Sequence, residues 1–228
     1  INLPTFTTLA AQSGAPFSIN DIVPIANHLT EAGVVAVKAD SPYKTIEELV
    51  AAAKEKGNLK ASTNGNKASN HTAAQLLAKS AGFKYKAIPY GGTADQLLAL
   101  RQGEVDFTCA KVADVAKLVK GDKPELRVLA VFNTKRDPEL PNVPTLGEKG
   151  LYPEWYGSAR ALVAPKGTKP EVIQYYVEAF KKTMQDPAVI EAHKKAGMAL
   201  DFKDNKELGD LIKAQDKFAR DVVNDLYK

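Results

Sequence analysis

The sequence predicts an α/β fold built around a parallel sheet. Between residues 34 and 132, short apolar runs rich in β-branched residues alternate with amphipathic stretches of helical length. Three of these helical stretches stop at Gly57, Gly82 and Gly103, which suit the left-handed residue that often ends a helix. Strands that alternate with helices in this way pair in parallel, because each helix carries the chain back across the sheet.

Local signals place the elements of this region. Thr45 and Glu48 form a capping box that opens the first helix, and Thr93 is expected to cap a later one that runs to Gln102. The predicted strands are 34–38, 59–62, 85–89, 105–109 and 126–132, and the predicted helices are 45–57, 69–81, 93–102 and 112–119.

The remainder of the chain is poorer in strands. Prolines at 138, 141 and 144 interrupt residues 137–150, which suits a connection over a surface. A strand at 159–164 precedes helices at 170–185, 187–196 and 206–227, and 200–202 and the opening residues are the other candidates for strands. A sheet needs more partners than these under three helices, so we expect an N-terminal segment with further strands to be absent.

Composition excludes several classes of function. The net charge is +4, with lysines scattered among acids rather than gathered in a stripe, so we expect no nucleic-acid partner. No apolar run has the length needed to cross a bilayer. The single cysteine, Cys109, cannot form an internal disulfide, and His28, His71 and His193 lie far apart in the sequence. We therefore expect no metal site and no cofactor.

A polar loop at 61–71 leaves a predicted strand and enters a helix. The unpaired N–H groups and the positive end of such a helix favour an anion, and the serine and asparagine side chains add donors. In open α/β sheets, ligands bind at this end of the strands. Capping of the helix by Ser69 or Asn70 is an alternative that the motif leaves open. The candidate ligand residues here are Asn64, Asn66, Lys67, Ala68, Ser69 and His71.

A second loop between a strand and a helix contains two adjacent glycines. These would let the backbone approach a ligand closely, although they also suit a simple tight turn. Parallel strands would deliver both loops to the same edge of the sheet, which favours the ligand hypothesis. Neither loop matches a P-loop or a dinucleotide fingerprint. The candidate residues of this loop are Tyr90, Gly91, Gly92, Thr93 and Ala94.

Two further positions stand out. Cys109, at the end of a predicted strand, is interpreted as a small buried side chain rather than a nucleophile, and Lys111 after it could carry charge to the site or lie at the surface. Arg160 lies among small residues in an apolar strand. Its guanidinium either faces solvent at a sheet edge or binds a carboxylate bidentately, and the sequence leaves both possibilities open.

A series of short motifs extends over nearly the whole chain, from Asp21 to the C-terminal helix. The motifs are DIVPIA at 21–26, DSPYKTIEEL at 40–49, NG at 64–65 with SNH at 69–71, PYGGTA at 89–94, GEVD at 103–106, LRVLAV at 126–131 with KR at 135–136, LPNVPT at 140–145 and APKGT at 164–168. In their order and spacing these motifs resemble the substrate-binding proteins of tripartite tricarboxylate transporters, also called the Bug family.

The resemblance implies a type II periplasmic-binding-protein fold, in which two α/β lobes joined by crossing strands close on a ligand. The first lobe would be incomplete here and comprise 1–32 and 133–228, and the second would be 33–132. The resemblance adds Asn2 and Thr5 to the expected ligand residues, at the edge of the first lobe. It also adds Ala110, where many relatives have an acid or a serine, and this chain has Lys67-Ala68 where relatives often have Gly-Ser.

The resemblance also implies a function. Such a protein captures a small mono-, di- or tricarboxylate in the periplasm for a tripartite tricarboxylate-type secondary transporter. Its partners would be the large and small integral membrane components, and the protein itself is expected to be a monomer and not an enzyme. The alternatives are a ligand-sensing domain of a signalling system and an enzyme that uses the same cleft, for instance a hydrolase built around Cys109.

Overall fold

The computed structural model describes residues 1–227, which divide into two compact units. The first unit comprises residues 1–31 and 158–227, and the second comprises 32–157. The strands are β1 (Asn2–Leu3), β2 (Ile22–Lys38), β3 (Lys60–Thr63), β4 (Lys86–Pro89), β5 (Phe107–Lys111), β6 (Leu126–Phe132), β7 (Gly157–Pro165) and β8 (Leu200–Lys203).

Helices follow most of the strands. They are α1 (Thr5–Ala10), α2 (Ile46–Lys56), α3 (Ser69–Ala81), α4 (Thr93–Gln102), α5 (Val112–Val115), α6 (Pro170–Met184), α7 (Pro187–Lys195), α8 (Asn205–Phe218) and α9 (Asn224–Leu226). A 3-10 helix lies at Ile19–Asp21, and a π-helical turn at Ala219–Val223. None of the helices in the described part of the chain is both long and apolar enough to cross a membrane.

The sheet of the second unit has the predicted parallel centre. β3 pairs in parallel with β4 on one side and with β5 on the other. β5 then pairs antiparallel with residues 33–36 of β2, and β6 pairs antiparallel with residues 33–38 on the other side of β2. The order in this unit is therefore β4-β3-β5-β2-β6. Because β3, β4 and β5 run in the same direction, their carboxyl ends share one edge of the sheet.

Three helices of the second unit, α2, α3 and α4, end as the sequence predicts. Thr45 and Glu48 form the capping box of α2. Gly57, Gly82 and Gly103 end α2, α3 and α4 in the left-handed conformation, with φ of +68°, +68° and +78°. These local signals fix where each helix begins or ends, and therefore where the loops between strands and helices lie.

The first unit is built on β7. β1 pairs antiparallel with it, with Asn2 opposite Arg160, and β2 lies on its other side. β8 pairs antiparallel with the first part of β2. Residues of α6 and of these strands form a hydrophobic cluster of Ile25, Ala26, Ala164, Ile173 and Val177.

Residues 133–157 lie with the second unit and not, as the sequence predicts, with the first lobe. The Val131 N–H donates to Pro144 O at 3.0 Å, and Val131 O accepts from the Leu146 N–H at 2.9 Å. Tyr156, which is buried, donates its N–H to Phe132 O at 3.1 Å. The prolines suggest a surface connection, but buried apolar residues between them anchor the segment along β6. The boundary therefore falls after 157 instead of after 132.

Three elements differ in length from the prediction. β2 begins at Ile22, twelve residues before the predicted strand at 34–38. The helix predicted at 112–119 ends at Val115, and the helix predicted at 206–227 is interrupted by a π-helical turn after Phe218. In β2 the polar residues Asn27 and Glu31 break the apolar pattern, although both are buried in the folded chain.

Close packing at Gly33 generates a prediction. A Cβ at this position would lie 3.0 Å from Tyr156 O and 3.2 Å from Phe132 Cδ2. We expect Gly33→Ala to lower the free energy of unfolding by about 1–3 kcal/mol, because the backbone carbonyl cannot move away without breaking its bond to the Gly33 N–H. Urea denaturation measures this change.

Gly92→Ala is the matched control. Gly92 has φ of −178°, and a Cβ there would meet nothing within 4 Å. A glycine replaced in an unstrained conformation leaves stability unchanged or slightly raised. Equal losses of stability in the two variants would contradict the packing argument.

Candidate functional site

In the second unit, the two candidate loops leave the same edge of the sheet. Asn64 follows β3 and Tyr90 follows β4, and the Tyr90 N–H donates to Thr63 O at 2.9 Å. Lys111 ends β5 at this edge. The parallel pairing therefore brings together the loop at 64–68, the loop at 90–92 and a lysine from three separate parts of the sequence.

The loop at 64–68 is held by bonds to the first turn of α3. Asn64 Oδ1 accepts from the Asn70 N–H at 3.3 Å, so the asparagine caps the helix from outside it. Ser69 and Asn70, the capping residues considered from sequence, lie inside α3, and Ala68 precedes the helix without a side-chain bond. Lys67 has φ of +58°, in the left-handed region that few side chains adopt.

His71 holds Lys67 in this conformation. The Lys67 N–H donates to His71 Nδ1 at 3.0 Å, which places the hydrogen of the neutral ring on Nε2. Burial lowers the pKa of His71 below its ordinary value, so the imidazole is neutral at pH 7. At this point the loop therefore carries no positive charge from the ring.

A chain of buried polar side chains joins α3, α4 and β5 below the loops. Lys111 Nζ donates to Ser69 Oγ at 3.2 Å and also to Asn70 Oδ1. Asn70 Nδ2 donates to Gln96 Oε1 at 2.9 Å. These side chains and the buried ammonium are fixed by one another, so the beginnings of both helices are held to the end of β5.

Gln96 is the centre of this polar chain. Its Nε2 donates to Cys109 O at 2.7 Å and to Thr108 Oγ1, which in turn donates to Ser62 O at 3.0 Å. Ser62 Oγ donates back to Thr108 Oγ1 at 3.0 Å. Every one of these groups is buried, so each bond also satisfies a polar atom that would otherwise be desolvated without a partner.

The loop at 90–92 leads directly into α4. Gly92 is extended, and α4 begins at Thr93 with Ala94 in its first turn. The N–H groups of this first turn have no carbonyl partners within the helix. The Tyr90 hydroxyl donates to Glu104 Oε2 at 3.1 Å, and desolvation together with that carboxylate raises the pKa of Tyr90. The hydroxyl of Tyr90 is therefore paired with Glu104, and its N–H is paired with Thr63 O.

Two residues of β5 that stood out in the sequence, the expected ligand residue Ala110 and the cysteine expected to be buried, are interior. Ala110 is fully buried and belongs to the hydrophobic cluster that also contains Val34 and Val131. Its side chain therefore contributes to the core, although the resemblance suggests a ligand contact. Cys109 is also fully buried, and burial raises the pKa of its thiol to about 12. The thiol is thus almost entirely protonated at neutral pH, which agrees with the interpretation of Cys109 as a small buried side chain rather than a nucleophile.

The remaining candidates lie in the first unit. Asn2 and Arg160 are opposite one another on β1 and β7, so their side chains share a face, and Thr5 opens α1. Arg160 Nη2 lies 3.3 Å from Glu31 Oε2, and the exposed fractions of the two side chains are 42% and 3%. The Arg160 carbonyl also lies 3.3 Å from Nδ1 of His28, whose pKa is lowered by burial.

Sequence reasoning missed Gln96, Thr108 and Glu31. A signal was present for Gln96, because it lies beside Leu97 and Leu100 on the buried face of a helix, where an amide needs partners. Thr108 similarly interrupts an apolar strand. For Glu31 the sequence offered no local signal, because its cationic partner belongs to a distant strand.

Comparisons with known proteins point to one family. A model of the TctC family, described as tripartite tricarboxylate transporter family receptor, matches residues 5–226. The UPF0065 protein in the gbd 5′ region of Cupriavidus necator is 37% identical over 170 residues. That alignment covers 74% of this chain and 50% of the relative, so the chain spans about half the length of this curated relative.

Solved structures resemble the chain along its length. A TctC solute-binding protein from Polaromonas, without ligand, has a TM-score of 0.80 and 26% identity, and the match covers 99% of this chain and 76% of that one. MatC from Rhodopseudomonas palustris with bound malate has a TM-score of 0.86 at 20% identity, covering 95% and 75%. The fold is that of the two-lobe periplasmic solute-binding proteins, and the proteins matched are binding proteins and not enzymes.

The buried polar chain generates a prediction. Gln96→Leu keeps the volume of the side chain but leaves Cys109 O, Thr108 and Asn70 without its bonds. We expect the free energy of unfolding to fall by about 1–3 kcal/mol for each buried group left unsatisfied. Chemical denaturation of the variant measures the loss.

Gln102→Leu, on the exposed face of the same helix, is the matched control, and its stability should change by less than about 0.5 kcal/mol. If both variants unfolded at the wild-type denaturant concentration, the buried bonds would contribute nothing measurable and the prediction would be wrong.

Proposed function

The chain belongs to the TctC family of tripartite tricarboxylate transporter receptors, and from this premise we propose that it binds a small dicarboxylate. The ligand would be held at the loop edge, which is the edge of the second unit's sheet where the loops at 64–68 and 90–92 follow β3 and β4. From there it would be passed to a membrane transporter. The observation that carries this proposal is the convergence of two loops, two helix beginnings and Lys111 at the carboxyl ends of β3, β4 and β5.

Helix geometry favours a negatively charged ligand at this edge. α3 has 13 residues and α4 has 10, so each has a full set of aligned peptide dipoles with the positive end at the loops. The N–H groups of a first helical turn are suited to carboxylate oxygens. Two such ends beside one another support a ligand with more than one carboxylate.

Lys111 supplies the formal charge. Its ammonium is buried and held by Ser69 and Asn70 at the beginning of α3, where it is oriented before any ligand arrives. A preorganised cation in a partly desolvated place attracts a carboxylate more strongly than an exposed lysine does. His71 is neutral and adds no positive charge.

The charge of the whole unit supports the same ligand class. Residues 32–157 contain 18 lysines and arginines against 14 aspartates and glutamates, whereas residues 1–31 and 158–228 contain 13 of each. The net charge of +4 therefore belongs entirely to the second unit. The structural relative MatC, whose structure contains malate, is a precedent for a dicarboxylate in this fold.

The loop at 90–92 supports recognition through the backbone. Gly92 has no atom within 4 Å of the position of a Cβ, so open space lies beside it. A ligand carboxylate could approach the first turn of α4 through that space, and Thr93 adds a hydroxyl. Asn64, Asn66, Lys67, Ala68 and Ser69 on the neighbouring loop, together with Gly91 and Ala94, complete this proposed set.

We propose Arg160 as a further carboxylate contact, in the first unit, together with Asn2, which lies opposite it in the pairing of β1 with β7, and Thr5, which opens α1. One edge of its guanidinium is directed to Glu31, and the side chain remains 42% exposed. A guanidinium has five N–H donors in a planar fork, so a bond to Glu31 leaves others available.

The proposed setting and partners follow from the family. The protein would capture its ligand in the periplasm and deliver it to the large and small membrane components of a tripartite tricarboxylate-type transporter, acting as a monomer. A membrane-embedded partner is consistent with the description of the family as transporter receptors.

Ligand binding to the folded protein provides the test. We expect malate or a related four- to six-carbon dicarboxylate to raise the thermal unfolding midpoint, because it binds only the folded state, and the rise should grow with the logarithm of 1 + [L]/Kd. The matching neutral diamide should give no shift at the same concentration. A shift given by sugars or amines, but by no acid, would contradict the ligand class.

Two variants locate the binding to the loop edge. Lys111→Met should weaken carboxylate binding by roughly tenfold to a hundredfold, the equivalent of about 1.5–3 kcal/mol for a charge-assisted bond. Gly92→Val should also weaken it, by filling the open space, while the protein stays folded. Lys117→Met, which removes an exposed lysine nearby, should bind as the wild type does. Unchanged calorimetric affinity in the first two variants, with native circular dichroism, would remove this edge from the site.

Arg160 has its own prediction. Arg160→Ala should weaken dicarboxylate binding by roughly tenfold or more, and Arg160→Lys should recover only part of the loss, because it lacks the planar fork. Glu31→Gln is the informative control, because it releases the guanidinium from its carboxylate and should preserve or strengthen binding. If Arg160→Ala and Glu31→Gln both lost stability and neither lost affinity in calorimetry, Arg160 would serve the fold alone.

A further inference from the structure

Two of the three histidines lie in contact with one another in the first unit. The ring of His28 on β2 and the ring of His193 on α7 have centroids 5.5 Å apart, and the planes of the rings make an angle of 77°. Their distance in sequence gave no reason to expect this contact. Both side chains are half-buried, so the pair can be reached from solvent.

Backbone carbonyls determine the tautomer of both rings. Nδ1 of His28 lies 3.3 Å from Arg160 O on β7, and Nδ1 of His193 lies 2.8 Å from Val189 O, one turn earlier in α7. A carbonyl oxygen can only accept, so Nδ1 carries the hydrogen of each neutral ring and Nε2 carries the lone pair. The third histidine has the opposite arrangement, because Nδ1 of His71 is an acceptor.

The Nε2 atoms of the pair remain available to a ligand. Among residues 1–227, the hydrogen bonds of the two rings involve only Nδ1. The two nitrogens of an imidazole point to opposite sides of the ring, so each Nε2 is directed away from the carbonyl that its ring contacts. For His193 this direction is away from the backbone of α7, the side on which His28 lies, because His28 belongs to a separate element.

The spacing of the two rings fits a single metal ion. Zinc binds an imidazole nitrogen at about 2.0–2.1 Å, so two rings on one tetrahedral ion have centroids about 5.3 Å apart. The observed separation is 5.5 Å. A histidine that binds a metal usually donates its other ring N–H to a carbonyl or a carboxylate, which fixes the orientation of the ring. His28 and His193 both make this second bond within the protein itself.

The charges around the pair are compatible with a bound cation. Burial is the main cause that lowers the pKa of His28, and the charges of His193 and Arg160 act in the same direction, so the His28 ring is neutral and able to bind a metal at pH 7. The Arg160 guanidinium is itself paired with Glu31, whose carboxylate lies 3.3 Å away. This pairing reduces the repulsion between the guanidinium and a metal ion.

We propose that His28 and His193 form a two-histidine site for a zinc ion, which would join α7 to β2. Imidazole nitrogens suit zinc, whereas magnesium and calcium prefer oxygen ligands. No group of three or more His, Cys, Asp or Glu side chains in the described part of the chain could hold a metal. The protein would therefore supply two ligands and water the others, which gives weak and exchangeable binding. This site is independent of the proposed dicarboxylate site.

Zinc added to the untagged wild-type protein, without any dicarboxylate that would chelate it, provides the test. We expect calorimetry to give one zinc ion per chain with a dissociation constant of roughly 10–100 μM, reversed by EDTA. In long-range ¹H–¹⁵N NMR spectra the Nε2 resonances of both His28 and His193 should move, and magnesium should move neither. A shift at only one of these rings, or at His71 alone, would show binding by a single histidine and overturn the site.

His193→Phe and Glu191→Gln form a matched pair of variants. His193→Phe keeps an aromatic ring beside His28 but removes both nitrogens, whereas Glu191→Gln removes an exposed acid from the same helix. Zinc affinity should fall at least roughly tenfold in His193→Phe and stay at the wild-type value in Glu191→Gln. Unchanged affinity in His193→Phe, or equal losses in both variants, would contradict the proposal. Should His193→Phe fail to fold, the NMR comparison of the three histidines in the wild type decides alone.

Discussion

The direction of three neighbouring strands determines the chemistry of the second unit. β3 pairs in parallel with β4 and β5, and a parallel pair requires a return connection, which here is a helix in each case. Every return begins at the same edge, so two loops and two positive helix ends must lie next to one another. Had β3 and β4 been antiparallel, the glycine-rich loop and the asparagine-rich loop would lie at opposite ends of the sheet, and had β3 and β5 been antiparallel, Lys111 would lie at the other end from the asparagine-rich loop.

Keeping these loops in place requires polar groups in the interior. Gln96 joins α4 to β5, and Asn70 joins α3 to both Gln96 and Lys111. Buried amides and hydroxyls stabilise a fold only when all their bonds are made, so such a chain of bonds tolerates few alternative arrangements. The same rigidity reduces the entropy lost when a ligand is bound, because the donors are already oriented.

Local sequence signals were sufficient for much of the fold. The capping box at Thr45 and the glycines that end three helices act over a few residues, so they can be recognised without a structure. The 22–31 part of β2 could not be recognised in this way. Asn27 donates to Asp201 O at 2.8 Å across 174 positions of sequence, and Glu31 depends on Arg160. Their burial is explained only by partners that the fold brings near.

The candidate site shows the same division. The strand-to-helix pattern was enough to predict that two loops share an edge, because the pattern itself implies parallel pairing. The direction of individual side chains was not predictable. Tyr90 is directed to Glu104, Ala110 faces the core, and Asn64 rather than Ser69 caps α3. Each of these outcomes depends on the direction of one side chain, which is determined by its contacts with a neighbouring element.

The burial of Cys109 makes the protein its own reporter of local opening. The chain contains one cysteine, it lies on the central strand β5, and its thiol is shielded and protonated in the folded state. A thiol reagent can react only with molecules in which β5 has separated from its neighbours. When reclosing is faster than modification, the labelling rate gives the free energy of that opening event. Because the first unit has no thiol, the signal reports the second unit alone, without a spectroscopic tag or a mutation.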